Sequence, residues 1–160
     1  MAGVFTSCRR SDSAYGQHNY NRGVSQGQIV YTALSYGAPA PSLEVVGTYD
    51  IVRRYAGSAP VGTWLDKTGR TSGSTYGQVT QSCVSIGKFR CQDVSDIWSE
   101  PGDSGSPIYV WLGSNQVELY GILWGGPEDG NPNITYSSRL GGVEQDLGTL
   151  TQLCAPGWGC

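Results

Sequence analysis

The 160-residue chain has one histidine, one methionine and two phenylalanines, and charged residues make up only 14% of it. Its five cysteines include no Cys-x-x-Cys pair, so the tight ligand spacing of a structural metal site is missing. No apolar run approaches the roughly 18 residues that span a bilayer. A Gly-rich phosphate loop and a basic patch are also lacking. The formal net charge of −3 gives no electrostatic reason to bind nucleic acid. The expectation is therefore no metal, no cofactor, no nucleic acid and no membrane. The opening residues, Met1-Ala-Gly-Val-Phe-Thr-Ser, lack the basic region and apolar core of a signal peptide.

What the chain does have is glycine and proline, 24 and 8 residues. A helical bundle does not tolerate that content, so short strands and many turns are expected. Hydrophobic residues at 38% and aromatics at 11% are enough to bury a core, which argues against disorder. The length corresponds to one domain, or one domain and part of another.

The cysteines are Cys8, Cys83, Cys91, Cys154 and Cys160. Cys83 and Cys91 bracket seven residues and can close a hairpin; Cys154 and Cys160 can close a second small loop, which leaves Cys8 unpaired. Disulfides imply a secreted protein. The alternative is a set of reduced, buried thiols.

Strands are read at residues 28–34, 61–69, 77–86, 89–94, 106–112 and 116–124, with residues 42–55 as one long strand or a hairpin. The one persuasive helix follows Gly141-Gly142, where Val143, Leu147 and Leu150 recur at spacings of three and four. Such a pattern suggests an all-β barrel or sandwich.

The segment that carries chemistry is Glu100-Pro-Gly-Asp-Ser-Gly-Ser-Pro. Glycines on both sides of Asp103-Ser104 permit a tight turn that presents the serine hydroxyl and aims successive backbone N–H groups at one point. That arrangement is what an oxyanion hole requires. A serine hydroxyl also needs a base and an orienting carboxylate to act as a nucleophile. The alternative for the motif taken alone is a Gly-rich turn with an exposed serine, the less favoured of the two.

Its flanks narrow the choice. Gly69-Arg-Thr-Ser-Gly, Gly73-Ser-Thr-Tyr-Gly-Gln-Val-Thr, the Glu100 segment and Tyr120-Gly-Ile-Leu-Trp-Gly-Gly follow one another in order. In this series the chain resembles the bacterial chymotrypsin-like (trypsin-fold) serine proteases of the streptogrisin and α-lytic type, over about residues 8–150. The resemblance implies an all-β double β-barrel. The C-terminal barrel, residues 60–160, is complete and ends in a short helix, and the N-terminal barrel, residues 1–59, is partial.

It also implies site residues. Ser104 would be the nucleophile, the amides of Gly102 and Ser104 the oxyanion hole, and Asp103 the internal anchor of the loop. Trp98, Ser99 and Glu100 would line one wall of the specificity pocket, and Leu123, Trp124 and Gly125 would pair with an extended peptide. Many relatives carry a cysteine where this chain has Trp98, so a pocket disulfide is not expected. The segment Arg9-Arg-Ser-Asp-Ser-Ala resembles the family's Ser-Asp-x-Ala, which makes Asp12 the candidate triad carboxylate; Asp50 mimics the pattern but lies only twelve residues before Gly62.

The family's base precedes the carboxylate, whereas His18 follows Asp12 in a polar, turn-like stretch and reads as solvated. The simplest account is that the chain lacks the first part of the N-terminal barrel, with the histidine, the export signal and the partner of Cys8. A partial barrel exposes strand edges, so pairing with another copy or with the missing segment is expected.

The expected function is peptide-bond hydrolysis through an acyl-enzyme, secreted in the full-length form and weak or ester-only in this chain. The alternative is a non-catalytic, protease-like peptide-binding protein. Asn133-Ile-Thr is a glycosylation sequon, and Trp111, Trp124 and Trp158 suggest a sugar platform less readily than strand packing.

Overall fold

A computed structural model describes residues 9–13, 27–148 and 154–158. His18, Leu150, Cys8 and Cys160 lie outside the described residues. The described strands are β1 Gln28–Tyr31, β2 Leu34–Tyr36, β3 Gly47–Arg54, β4 Trp64–Gly69, β5 Gly73–Ile86, β6 Phe89–Ser95, β7 Pro107–Gly113, β8 Gln116–Gly125 and β9 Thr135–Arg139, followed by the helix α1 Leu140–Leu147.

Six of these strands close a ring. β4 pairs with β5, β5 with β6, β6 with β9, β9 with β8, β8 with β7, and β7 returns to β4, every pair antiparallel. The other three decorate it: β3 runs parallel to β8, β1 pairs antiparallel with β3, and β2 lies parallel to β5. All nine thus belong to one sheet.

The core follows from period-two alternation. In β8, Val117, Leu119 and Leu123 alternate inward with half-buried neighbours. Leu123 joins Ala59, Leu65, Val79, Ile97 and Ile108 in one apolar cluster. Val117 and Leu119 join Ile29, Ile51, Tyr109, Leu140 and Cys154 in a second, beneath β1, β3 and the helix. One strand therefore serves both clusters.

Several elements depart from the sequence reading. Residues 42–55 yield a single strand, β3, preceded by a loop that leaves Leu43, Val45 and Val46 exposed. β5 begins at Gly73 and tolerates its extra length through register shifts against β6. β9 has no apolar alternation to announce it: its buried positions are Thr135, Ser137 and Ser138. The glycosylation sequon ends on Thr135, which is fully buried as the first residue of that strand. In α1 the buried face is Leu140, Gly142 and Val143, whereas Leu147 is half-exposed. The helix needs its two glycines for proximity, since a Cβ on Gly141 or Gly142 would meet the carbonyl of Ala56 at 2.4 Å or of Arg10 at 2.6 Å.

Cys83 and Cys91 form a disulfide across the β5–β6 hairpin. Cys154 is also disulfide-bonded. Trp124 belongs to no surface platform: its ring sits between Phe89 and Tyr136, and its Nε1 donates to Gln92 Oε1 at 2.9 Å.

Candidate active site

The loop between β6 and β7 is built around Asp103. Its Oδ2 accepts from Lys67 Nζ at 2.8 Å, Ser72 Oγ at 2.5 Å and the Glu100 amide at 3.0 Å. Its Oδ1 accepts from the amides of Thr71 at 2.8 Å and Ser72 at 3.1 Å. Both side chains of the Lys67–Asp103 pair are wholly buried. Burial alone would raise the Asp103 pKa, but the Lys67 ammonium, the Ser72 hydroxyl and the Glu100 amide outweigh it and hold the carboxyl at about 2. Burial pushes the Lys67 pKa down, against the pull of Asp103 and Glu100. Gly69 is required here by proximity, because a Cβ would lie 2.2 Å from Asp103 Oδ1.

With Asp103 pulled inward, its neighbours are presented outward. Gly102 and Gly105 adopt φ values of 102° and 90°, open only to glycine at little cost. Gly105 donates to the Leu123 carbonyl at 2.8 Å and Leu123 to the Ser106 carbonyl at 2.9 Å, which staples the turn to β8. The amides of Gly102 and Ser104 donate to no acceptor among the described residues. Ser104 Oγ is exposed and donates to the Trp124 carbonyl at 3.3 Å.

Two depressions meet at Ser104. One is an open cleft of about 440 Å³ whose walls include Asp12, Ser13, Ser104 and Trp124. Asp12 is delivered to it by a strap, residues 9–13. Asp146 Oδ2 of α1 accepts from the Arg10 amide at 3.0 Å, the Ser11 amide at 2.7 Å and Ser11 Oγ at 2.9 Å. The Asp12 amide in turn donates to Ser138 Oγ at 3.2 Å. The second depression, of about 170 Å³, runs from Ser104 past Ser99 and Glu100 to Gly125, Gly126 and Ile134.

Of the specificity-wall residues, Trp98 turns its indole to Glu100 Oε1 at 3.1 Å and lends its carbonyl to Thr75 Oγ1 at 2.8 Å. Trp98 does not line the 170 Å³ cavity, whereas Ser99 and Glu100 do. Of the three expected docking residues, Leu123 spends both its amide and its carbonyl on the nucleophile loop, the Trp124 carbonyl accepts from Ser104 Oγ, and Gly125 is paired with Tyr136 of β9. Asp50 is remote from this site: it lies on β3, where Gln28 Nε2 donates to it at 3.0 Å. Among the described residues no three His, Cys, Asp or Glu side chains converge as metal ligands.

Lys67 and Ser72 were not legible as loop anchors. Lys67 stands in Trp64-Leu-Asp-Lys-Thr-Gly, an alternating strand in which a lysine reads as solvent-facing. The one signal is its parity, since residue 67 shares a face with the buried Leu65 and Gly69.

No protein-family model matches the chain, and no curated protein does. Solved structures do match. A serine protease described as specific for glutamic acid, using a novel histidine triad in substrate binding, is 25% identical with a TM-score of 0.54; 67% of this chain covers 56% of that one. Protease A of Thermobifida fusca is 22% identical with a TM-score of 0.51, 64% of this chain covering 54% of it. Cellulomonas bogoriensis chymotrypsin is 27% identical with a TM-score of 0.48, covering 69% and 59%. The chain thus spans little more than half the length of these structures. Its fold is that of the bacterial chymotrypsin-like serine proteases, all-β with a partial barrel.

Proposed function

We propose that the chain is the nucleophile-bearing part of a serine endopeptidase, acting on peptide or protein substrates through an acyl-enzyme at Ser104. One observation carries this reading: Asp103 is clamped inward by five donors, the Gly102 and Ser104 amides beside it donate to no acceptor among the described residues, and Ser104 lines a cleft shared with Asp12. A carbonyl carbon set beside Ser104 Oγ would place its oxygen where those two amides can stabilise developing negative charge. Ser104 Oγ attacks the carbonyl carbon as its proton passes to a base, the oxyanion is held, and the amine leaves with that proton as the acyl-enzyme forms; water, deprotonated by the same base, then attacks the ester and releases the acid with the Ser104 hydroxyl restored.

The proton of Ser104 needs a base, and the described residues contain no histidine. We assign the carboxylate that orients such a base to Asp12. Without a base, oxyanion stabilisation and binding still supply roughly 10³- to 10⁴-fold over water, which suffices for activated esters before amides. We read residues 1–59 as what this chain holds of the N-terminal barrel and 60–160 as the C-terminal barrel. The Cys83–Cys91 bridge supports an extracellular setting for the full-length protein. The exposed Leu34, Leu43, Val45 and Val46 support self-association through the N-terminal segment.

A second reading, a peptide-binding protein without catalysis, is favoured by the resting bond of Ser104 Oγ to the Trp124 carbonyl, which holds the hydroxyl away from an incoming base. A fluorophosphonate probe separates the two. Labelling at Ser104 that disappears in Ser104→Ala supports the hydrolase; a folded chain that stays unlabelled at millimolar probe overturns it.

A further inference from the structure

Gln92 of β6 is wholly buried, and every hydrogen-bonding position of its amide is taken. Its Nε2 donates to the Arg10 carbonyl at 2.9 Å and to the Arg90 carbonyl at 2.7 Å. Its Oε1 accepts from Trp124 Nε1 at 2.9 Å and from Ser138 Oγ at 2.8 Å. The two carbonyls can only accept and the indole N–H can only donate, so the amide has one permitted orientation. Ser138, also wholly buried, gives its proton to Gln92 and accepts from the Asp12 amide at 3.2 Å.

These bonds lead to two walls of the cleft that Ser104 shares with Asp12. On one side the amide holds the strap at Arg10 directly and at Asp12 through Ser138. On the other it holds the indole of Trp124, whose ring lies between Phe89 and Tyr136 and whose carbonyl accepts from Ser104 Oγ at 3.3 Å. Gln92 itself lines neither depression at Ser104. An apolar side chain could fill the same space, but an amide adds direction. Its bonds fail once either partner shifts by about 1 Å, and a buried amide left half-satisfied is costly.

We infer that Gln92 is a positioning residue: one buried amide fixes the Asp12 strap and Trp124 at a set separation across the cleft, and so aligns the candidate carboxylate with the candidate nucleophile without touching substrate. Its consequence for catalysis rests on the serine-hydrolase reading of Ser104, whereas the mechanical coupling rests on the hydrogen bonds alone. Gln92→Met keeps most of the volume and removes all four bonds. The strap then stays attached through the Arg9 backbone and Asp146 but loses its register against Trp124. Ser138→Ala severs the Asp12 link alone and leaves Trp124 Nε1 bonded to Gln92.

The test uses the whole chain and two measurements. Hydrogen exchange compares the amides of Ser11 and Asp12 with those of Gly105 and Leu123, which staple the nucleophile loop. In Gln92→Met the strap amides are expected to exchange at least about tenfold faster relative to the loop amides, the effect of roughly one lost hydrogen bond. Global destabilisation would speed both sets alike. Labelling reads the cleft. A small fluorophosphonate needs only Ser104 and its two amides, whereas a peptidyl diphenyl phosphonate also fills the space between Asp12 and Trp124. The peptidyl reagent is expected to slow at least about tenfold and the small one about twofold at most. Urea melts record that each variant folds; if Gln92→Met does not, Ser138→Ala is read for the same selective exchange. Strap and loop amides speeding by one factor, or both reagents slowing equally, overturns the proposal even though Ser104 reacts. If neither reagent labels the wild type, the hydrolase reading fails, and the exchange ratio alone decides whether Gln92 sets the strap.

Discussion

Replacing Lys67 by methionine removes the ammonium that faces Asp103 while keeping most of the side-chain volume. Both partners have no side-chain exposure, so solvent cannot take over the lost partner's role. Orphaning one member of a buried pair costs about 3–5 kcal/mol. The lower end applies here, because Asp103 keeps Ser72 Oγ and the amides of Thr71, Ser72 and Glu100 as donors. A loss of about 3 kcal/mol lowers the folding equilibrium constant by roughly two orders of magnitude and the melting temperature by about 6–12 °C. Asp103→Asn should cost more, since Lys67 would keep only Ser72 Oγ and the Gly73 carbonyl, the latter at 3.2 Å.

The wild-type pair also has a pH signature. Asp103 is held at about 2, below its ordinary value of 3.8, so its contribution of about 2 kcal/mol is present above pH 4 and fades as pH falls from 4 toward 2. In Lys67→Met, burial is opposed by fewer groups, so the folded pKa of Asp103 rises toward the unfolded value and the loss of stability between pH 4 and 2 shrinks. Urea melts followed by tryptophan fluorescence, with phosphonate labelling of Ser104 alongside, measure both effects. If Lys67→Met melts within about 2 °C of wild type and labels at the same rate, the pair does not anchor the nucleophile loop.

Gly69→Ala drives a methyl to within 2.2 Å of Asp103 Oδ1, so it should destabilise by about 1–3 kcal/mol and slow Ser104 labelling more than an alanine elsewhere in β4; calorimetry and labelling report this. Burial raises the Asp66 pKa to about 6, so the ionised form burdens the fold and stability should decline as pH rises from 4 through 6. Asp66→Asn should flatten that decline and raise the melting temperature at pH 7. Reducing the Cys83–Cys91 bridge, with a sequence separation of 8, should cost about 2–3 kcal/mol, read as a lower urea midpoint.

The parts of the fold that obey simple patterning were legible. Alternation and turn glycines marked β4, β6, β7 and β8 to within a few residues, and the flanks of Ser104 pointed to a presented hydroxyl with two free amides. The rest was hidden for physical reasons. β9 is Thr-Tyr-Ser-Ser-Arg, and its buried hydroxyls hydrogen-bond to the Ile97 carbonyl, Ser99 Oγ and Gln92 Oε1 instead of packing as hydrocarbon. A polar strand of that kind has no hydropathy signal. Lys67 was hidden because a buried lysine becomes intelligible only once its distant carboxylate, 36 residues along the chain, is placed beside it. The helix stripe was displaced because it includes Gly142, whose burial comes from backbone contact with Arg10.

The ring of β4 to β9 holds Ser104 and the cavity beside it within a single hydrogen-bonded circuit spanning residues 64–139. Asp12 hangs from a short tether with two supports: β6 and β9 of that circuit hold it through Arg9, the Arg10 carbonyl and the Asp12 amide, and Asp146 of α1 grips it at three further points. The hydroxyl and the carboxylate therefore share one foundation, and the helix is a second grip on the carboxylate alone. Loosening the helix would strip three anchors from the carboxylate's tether while leaving those of the nucleophile in place.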